Sequence, residues 1–175
     1  MAITRVEVTP KQGPGMRDVR GDVVRRQLAA DHGIKVNNVR SVVGFLIKSD
    51  VPAEQIAERV DDLFADPIIE DGGTNTLLLS NPTHFPDAPS SAITIGFKAG
   101  VTDNPGTAAL DGFKTIFPEA GEASISTYIT YVFYGLNSTV EVEWLANTLH
   151  NGLIQRAVIA DQTACMNGEL SLIHI

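Results

Sequence analysis

Two short stretches restrict what this chain can fold into. Gly15, Asp18 and Gly21 in the first are matched by Gly100, Asp103 and Gly106 in the second, each pair 85 residues apart. Ahead of the second stretch, Ile93, Ile95 and Phe97 alternate with Thr94, Gly96 and Lys98, the period of a strand with one buried face. Gly100 suits a turn with positive φ, Asn104 is placed to cap a helix, and Pro105 follows where a missing N–H costs nothing. A strand recurs as well, at an offset of 86: Val39 meets Ile125, Ser41 meets Thr127, Val43 meets Ile129, Phe45 meets Tyr131 and Ile47 meets Phe133. A slip of one residue would turn all of them to the other face. The chain therefore reads as two copies of one β-α-β-α-β unit.

The first unit occupies residues 1–80. It comprises a strand over 3–8, a helix over 17–31 with Val19, Val23, Val24 and Leu28 at helical spacing, and a strand over 39–48. A helix capped by Asp50 follows, carrying Ile56, Val60, Leu63 and Phe64; Asp66-Pro67 stops it, and a short strand is expected over 74–80. Residues 81–91, with Pro82, Pro86 and Pro89, read as a linker. Residues 92–160 repeat the order: strand 92–98, helix 105–117, strand 125–134 and helix 139–150, with Leu153-Ile154-Gln155 matching Ile68-Ile69-Glu70. Residues 161–175 form a tail whose last eight positions end apolar, as an interrupted strand would. The expected class is α+β: two tandem ferredoxin-like halves related by a pseudo-twofold axis, antiparallel sheets with helices on one face.

Composition excludes several functions. With 175 residues, the chain can bury roughly 70% of its unfolded surface without disulfides. A net charge of −8 speaks against nucleic acid and anionic membrane as partners. The uncharged run 123–140 is broken throughout by Ser, Thr, Tyr and Asn, which suits a strand and not a membrane span. Met1 leads directly into an alternating strand, so no secretory signal is expected. The single Cys165 cannot form an intramolecular disulfide and fits a reducing, cytoplasmic setting. Neither glycine-bearing turn has the spacing of a dinucleotide or P-loop fingerprint. His32, His84, His150 and His174 are scattered without metal-site spacing, and no serine-nucleophile elbow is present. Glu58, Asp61, Asp62, Glu141 and Glu143 read as solvated helix faces, while Tyr131 is expected to face a core. Trp144 stands where the first copy has Arg59, so an outward position has become aromatic, the mark of a contact surface. No cofactor, metal or catalytic constellation is expected.

Those stretches carry a resemblance. Gly15-Met16-Arg17-Asp18-Val19-Arg20-Gly21 and Gly100-Val101-Thr102-Asp103-Asn104-Pro105-Gly106, supported by Ala65-Asp66-Pro67-Ile68-Ile69-Glu70 and Leu153-Ile154-Gln155-Arg156, resemble the PurS-type component of phosphoribosylformylglycinamidine synthase. That ligase carries out a glutamine- and ATP-dependent amidation in purine biosynthesis. The likeness covers about residues 3–160, and the tandem arrangement is similar to the N-terminal region of long single-chain synthases of the family. It implies a part without catalytic residues that pairs into a dimer and holds the ATP-binding synthetase against the ammonia-supplying glutaminase. The partners implied are a synthetase large subunit or domain, a glutaminase, and other copies of the chain. The synthetase's own ATP-binding motifs are missing here, so the chain reads as a separate subunit or an N-terminal piece. Gly100, Asp103, Asn104 and Trp144 are the expected partner contacts. Paired ACT-type modules, which bind a small effector between their halves, are the alternative likeness.

Overall fold

The computed structural model describes residues 1–136 and 138–167. Six strands form: β1 (Ala2–Pro10), β2 (Asn38–Ser49), β3 (Glu70–Thr74), β4 (Ser91–Phe97), β5 (Ser124–Tyr134) and β6 (Gln155–Asp161). They make one sheet in the order β3-β1-β2-β5-β4-β6, every neighbour antiparallel. The sheet is single because β2 and β5 pair without a break from Asn38↔Tyr134 to Lys48↔Ser124. Val43 lies directly opposite Ile129, the residue that matches it in sequence.

The helices are α1 (Val19–His32), α2 (Ala53–Ala57), α3 (Val60–Leu63), α4 (Asn104–Ile116), α5 (Thr139–Leu149) and α6 (Gln162–Asn167). Helices α1 to α5 cover one face. Val6, Val8, Ile47 and Ile125 pack under α2, α3 and α4, with Phe113 and Phe117 at the centre. Val39, Ile93, Ile95 and Phe133 pack under α1 and α5, against Val24, Leu28 and Leu145. The intervening strand residues point to the opposite face, as pleating requires. There Val42, Ala92, Val132 and Ala160 are covered by Leu78, Leu79, Phe85 and, from α6, Cys165. The segment read as a linker is thus a lid on the second face, and helical structure is not confined to one side.

Other expectations need correction. The helix expected from Asp50 is split at Glu58-Arg59, and Asp50 caps nothing; its carboxylate pairs with the Met1 ammonium at 2.8 Å. Val19 and Val23 on α1 are exposed, so the buried stripe is Gly21, Val24 and Leu28. Residues 70–74 form the strand instead of 74–80, because β1 supplies the partner backbone from Val6 to Pro10. Leu78–Ser80 is a 3₁₀ turn that packs inward. The tail beyond Asn167 lies outside the described residues. Among the described residues, no helix is long and apolar enough to cross a membrane.

Candidate functional site

Both glycine-bearing turns are built alike. Gly15 has φ 80° and Gly100 φ 83°, the left-handed region open to glycine at no steric cost. The helix caps are Asp18 and Asp103, not Asn104, and Pro105 takes the second helical position. Each aspartate reaches further than a cap. Asp18 accepts from the Gly21 amide at 2.8 Å, from the Ser41 amide, and from the Ser41 hydroxyl at 2.8 Å. Asp103 accepts from the Gly106 amide at 2.7 Å, from the Thr127 amide, and from the Thr127 hydroxyl at 2.8 Å. One carboxylate thus fixes the helix start to the neighbouring strand. The third glycine lets them approach: a Cβ on Gly21 would lie 2.1 Å from the Val39 carbonyl oxygen, and one on Gly106 2.5 Å from that of Ile125.

The partner loops repeat as closely. Lys11 and Lys98 each donate a backbone hydrogen bond, to Ile69 O at 2.8 Å and Ile154 O at 2.9 Å, and each ammonium donates to a loop carbonyl, that of Pro67 or Gly152. Asp66 and Asn151 accept from the amides of Ile68 and Leu153 in matching side-chain turns. Glu70 and Gln155 return to accept from the amides of Asp66 and Asn151. What these turns display is apolar: Ile68 is 74% exposed and Leu153 86%, beside half-exposed Ile69 and Ile154.

Of the expected contacts, Gly100 and Asn104 are on the surface, whereas the Asp103 carboxylate is occupied inside the fold. Trp144 lies on α5, away from that turn in the chain. It is 40% exposed and packs edge-on against His32 at the end of α1, ring centres 4.4 Å apart. Gly100, Asp103 and Asn104 thus share one turn, while the ring contact described for Trp144 is with His32. Cys165 is buried, and that burial pushes its thiol up to about 12, which disfavours the thiolate. Among the described residues, no group of His, Cys, Asp and Glu could hold a metal ion.

Several concavities open among the described residues, and two of them reach the sheet beside α1. A cleft of about 600 Å³ opens between the start of α1 and the lid. At its wall is Arg40, buried, its guanidinium spread over the Phe85 ring at 4.2 Å and donating to the carbonyls of His84 and Pro10. The acceptors described there are neutral, and through them Arg40 pins the lid to β1. An apolar groove of about 570 Å³ lies between α1 and α4, floored by Val43, Phe45 and Ile129.

The residues that sequence reasoning missed lie under the lid. Glu7 is 1% exposed, and its carboxylate accepts from the Tyr128 hydroxyl at 2.7 Å and the Leu78 amide at 2.7 Å. Tyr128 reaches it by lying across Gly44, where a Cβ would stand 1.9 Å from the ring. Burial pushes the Glu7 carboxyl above its ordinary range and the Tyr128 phenol up as well. A glycine inside an apolar strand was the available signal, since it marks a close approach. No protein-family model matches the chain, and no curated protein matches it either.

Proposed function

We propose that this chain is a non-catalytic scaffold of the PurS type, two tandem ferredoxin-like halves about a pseudo-twofold axis through the Val43–Ile129 pair. It would hold the synthetase and the glutaminase of a phosphoribosylformylglycinamidine synthase in register for ammonia transfer. The observation that carries the reading is the pair of rigid turns, each presenting exposed apolar residues, Ile68 and Ile69 at one and Leu153 and Ile154 at the other. A scaffold needs firm, apolar contact points and no reactive side chains. Support also comes from the duplicated aspartate networks, which make the two contact points equivalent. The test is reconstitution with the synthetase and glutaminase of the same source. Glutamine-dependent turnover should need this chain, while ammonia-dependent turnover should not. Glutamine-dependent turnover unaffected by its omission would refute the scaffold reading.

The groove between α1 and α4 favours a second reading, a tandem ACT-like module with a small apolar effector seated over Val43 and Ile129. A thermal-shift screen against amino acids and nucleotides separates the two, because a scaffold would give no shift.

A further inference from the structure

The groove between α1 and α4 lies where β2 meets β5, over the opposed pair Val43 and Ile129. Val43, Phe45 and Ile129 are only half-buried, so the sheet stays open there. Along the groove one residue is cationic, Arg20, and none is acidic. A second hollow that Arg20 borders, of about 630 Å³, differs in that Glu70 lines it. At the position that matches Glu70 in sequence, the groove has the neutral Gln155. The carboxylates nearest Arg20 in the chain are engaged elsewhere. Asp18 accepts from Gly21 and Ser41, and Asp22 pairs with Arg17, Arg25 and Arg26. Arg20 is thus exposed at the groove and, among the described residues, has no carboxylate to pair with. Its charge is felt by the half-buried Tyr131 phenol, two residues along β5 from Ile129, which sets the guanidinium toward the groove floor.

We propose that this groove binds a small monocarboxylate with an apolar body, its carboxylate on Arg20 and its hydrocarbon over Val43, Phe45 and Ile129. The proposal rests on the effector reading of the same groove and names the effector's chemistry. The charge pattern selects it. A guanidinium at the rim of an apolar surface offers a carboxylate two parallel N–H donors. An α-amino acid would bring an ammonium as well, and no carboxylate along the groove receives it. Burying that charge unpaired is costly, so the amino group counts against binding. A volume of about 570 Å³ falls in the ordinary range of small-molecule sites.

Calorimetric titration of the full chain with hexanoate should show a single saturable site. Hexanol lacks the charge and norleucine adds an ammonium, and each should bind about tenfold more weakly or worse, the scale of a charge-assisted hydrogen bond lost or a charge left unpaired. Arg20→Gln should bring hexanoate down to the hexanol value and leave hexanol unchanged. Ala108→Trp, at an exposed position of α4 beside the groove, should fill it and abolish binding of all three, with far-UV dichroism like the parent's. Hexanol or norleucine binding as tightly as hexanoate, or hexanoate binding indifferent to Arg20→Gln, would overturn the monocarboxylate assignment; if Ala108→Trp still blocked it, an apolar effector would stand. No hexanoate binding, or binding indifferent to Ala108→Trp, would overturn the proposal, and hexanol that also fails to bind there would remove the effector reading with it.

Discussion

Among the described residues Glu7 is the one carboxylate held fully buried in the sheet, and its pH behaviour follows from that position. Its folded-state pKa is raised, chiefly by burial, so the folded protein binds this proton more tightly than the unfolded chain does. The stability it contributes is present below the ordinary carboxylate range and is lost as pH rises through the raised value. Glu7→Gln removes that loss and keeps both contacts, with the amide oxygen accepting from Leu78 and the amide nitrogen donating to the Tyr128 oxygen. The variant should therefore melt higher than the parent at neutral pH, and the gap should close as pH falls toward about 4. Melting curves across that range decide it; a parent more stable than the variant at pH 7 would contradict the assignment. The two helix-capping aspartates give a second comparison. Asp103→Ala removes a cap and both bonds to Thr127, and should cost about 3 kcal/mol in urea unfolding, well beyond an ordinary cap. Asn104→Ala, on the surface one residue later, should stay within about 0.5 kcal/mol. Equal losses at the two positions would mean that the carboxylate does not join helix to strand.

At the scale of elements, legibility followed how far each signal was local. Strands β2 and β5 were readable because alternation and register are both encoded in Val39 to Ile47 and Ile125 to Phe133. The turns were readable from Gly15 and Gly100, whose φ the sequence could anticipate. The choice between Asp103 and Asn104 as cap was not, since both cap well and only the position of Thr127 on a distant strand decides. Strand β3 was hidden because Gly72-Gly73 has no strand propensity, and β1 imposes the extended form through pairing. The lid was hidden by its prolines: Leu78, Leu79 and Phe85 pack on the sheet, but no periodicity announces a segment that crosses strands irregularly. Its worth can be measured. Phe85 is 4% exposed and lies under the Arg40 guanidinium, so Phe85→Ala should cost about 3 kcal/mol and expose apolar sheet to a dye such as ANS. Pro82→Ala, on the surface of the same segment, should change stability by less than about 0.5 kcal/mol and bind no dye. Similar effects at both would make the segment a tether.

For the whole molecule, the central question is whether either side of the β2–β5 seam can stand alone. Residues 1–85 carry β1, β2, β3 and most of the lid, and cutting there strips β2 of a partner along its whole length from Asn38 to Lys48. It also takes Tyr128 from Glu7, leaving a buried carboxylate with one donor instead of two. A long strand still paired to β1 but open along its other edge, with Val39, Val43, Phe45 and Ile47 on one side, recruits another strand. The strand it is built to meet resembles itself, because Val43 faces Ile129 and the two positions correspond in sequence. The fragment should therefore dimerise through β2 with Val43 opposite Val43, which sets Val39 opposite Ile47 and leaves the apolar side continuous. Val43→Asp would then place two carboxylates face to face at the twofold, and like charges directly opposite are destabilising. Gel filtration should show the 1–85 fragment at twice its mass and the Val43→Asp fragment as a monomer or unfolded chain. A parent fragment that elutes as a folded monomer, with a cooperative melt independent of concentration, would mean that the seam joins two self-sufficient domains. The duplicated turns would then owe their symmetry to sequence alone, with no structural need for the pairing at Val43 and Ile129.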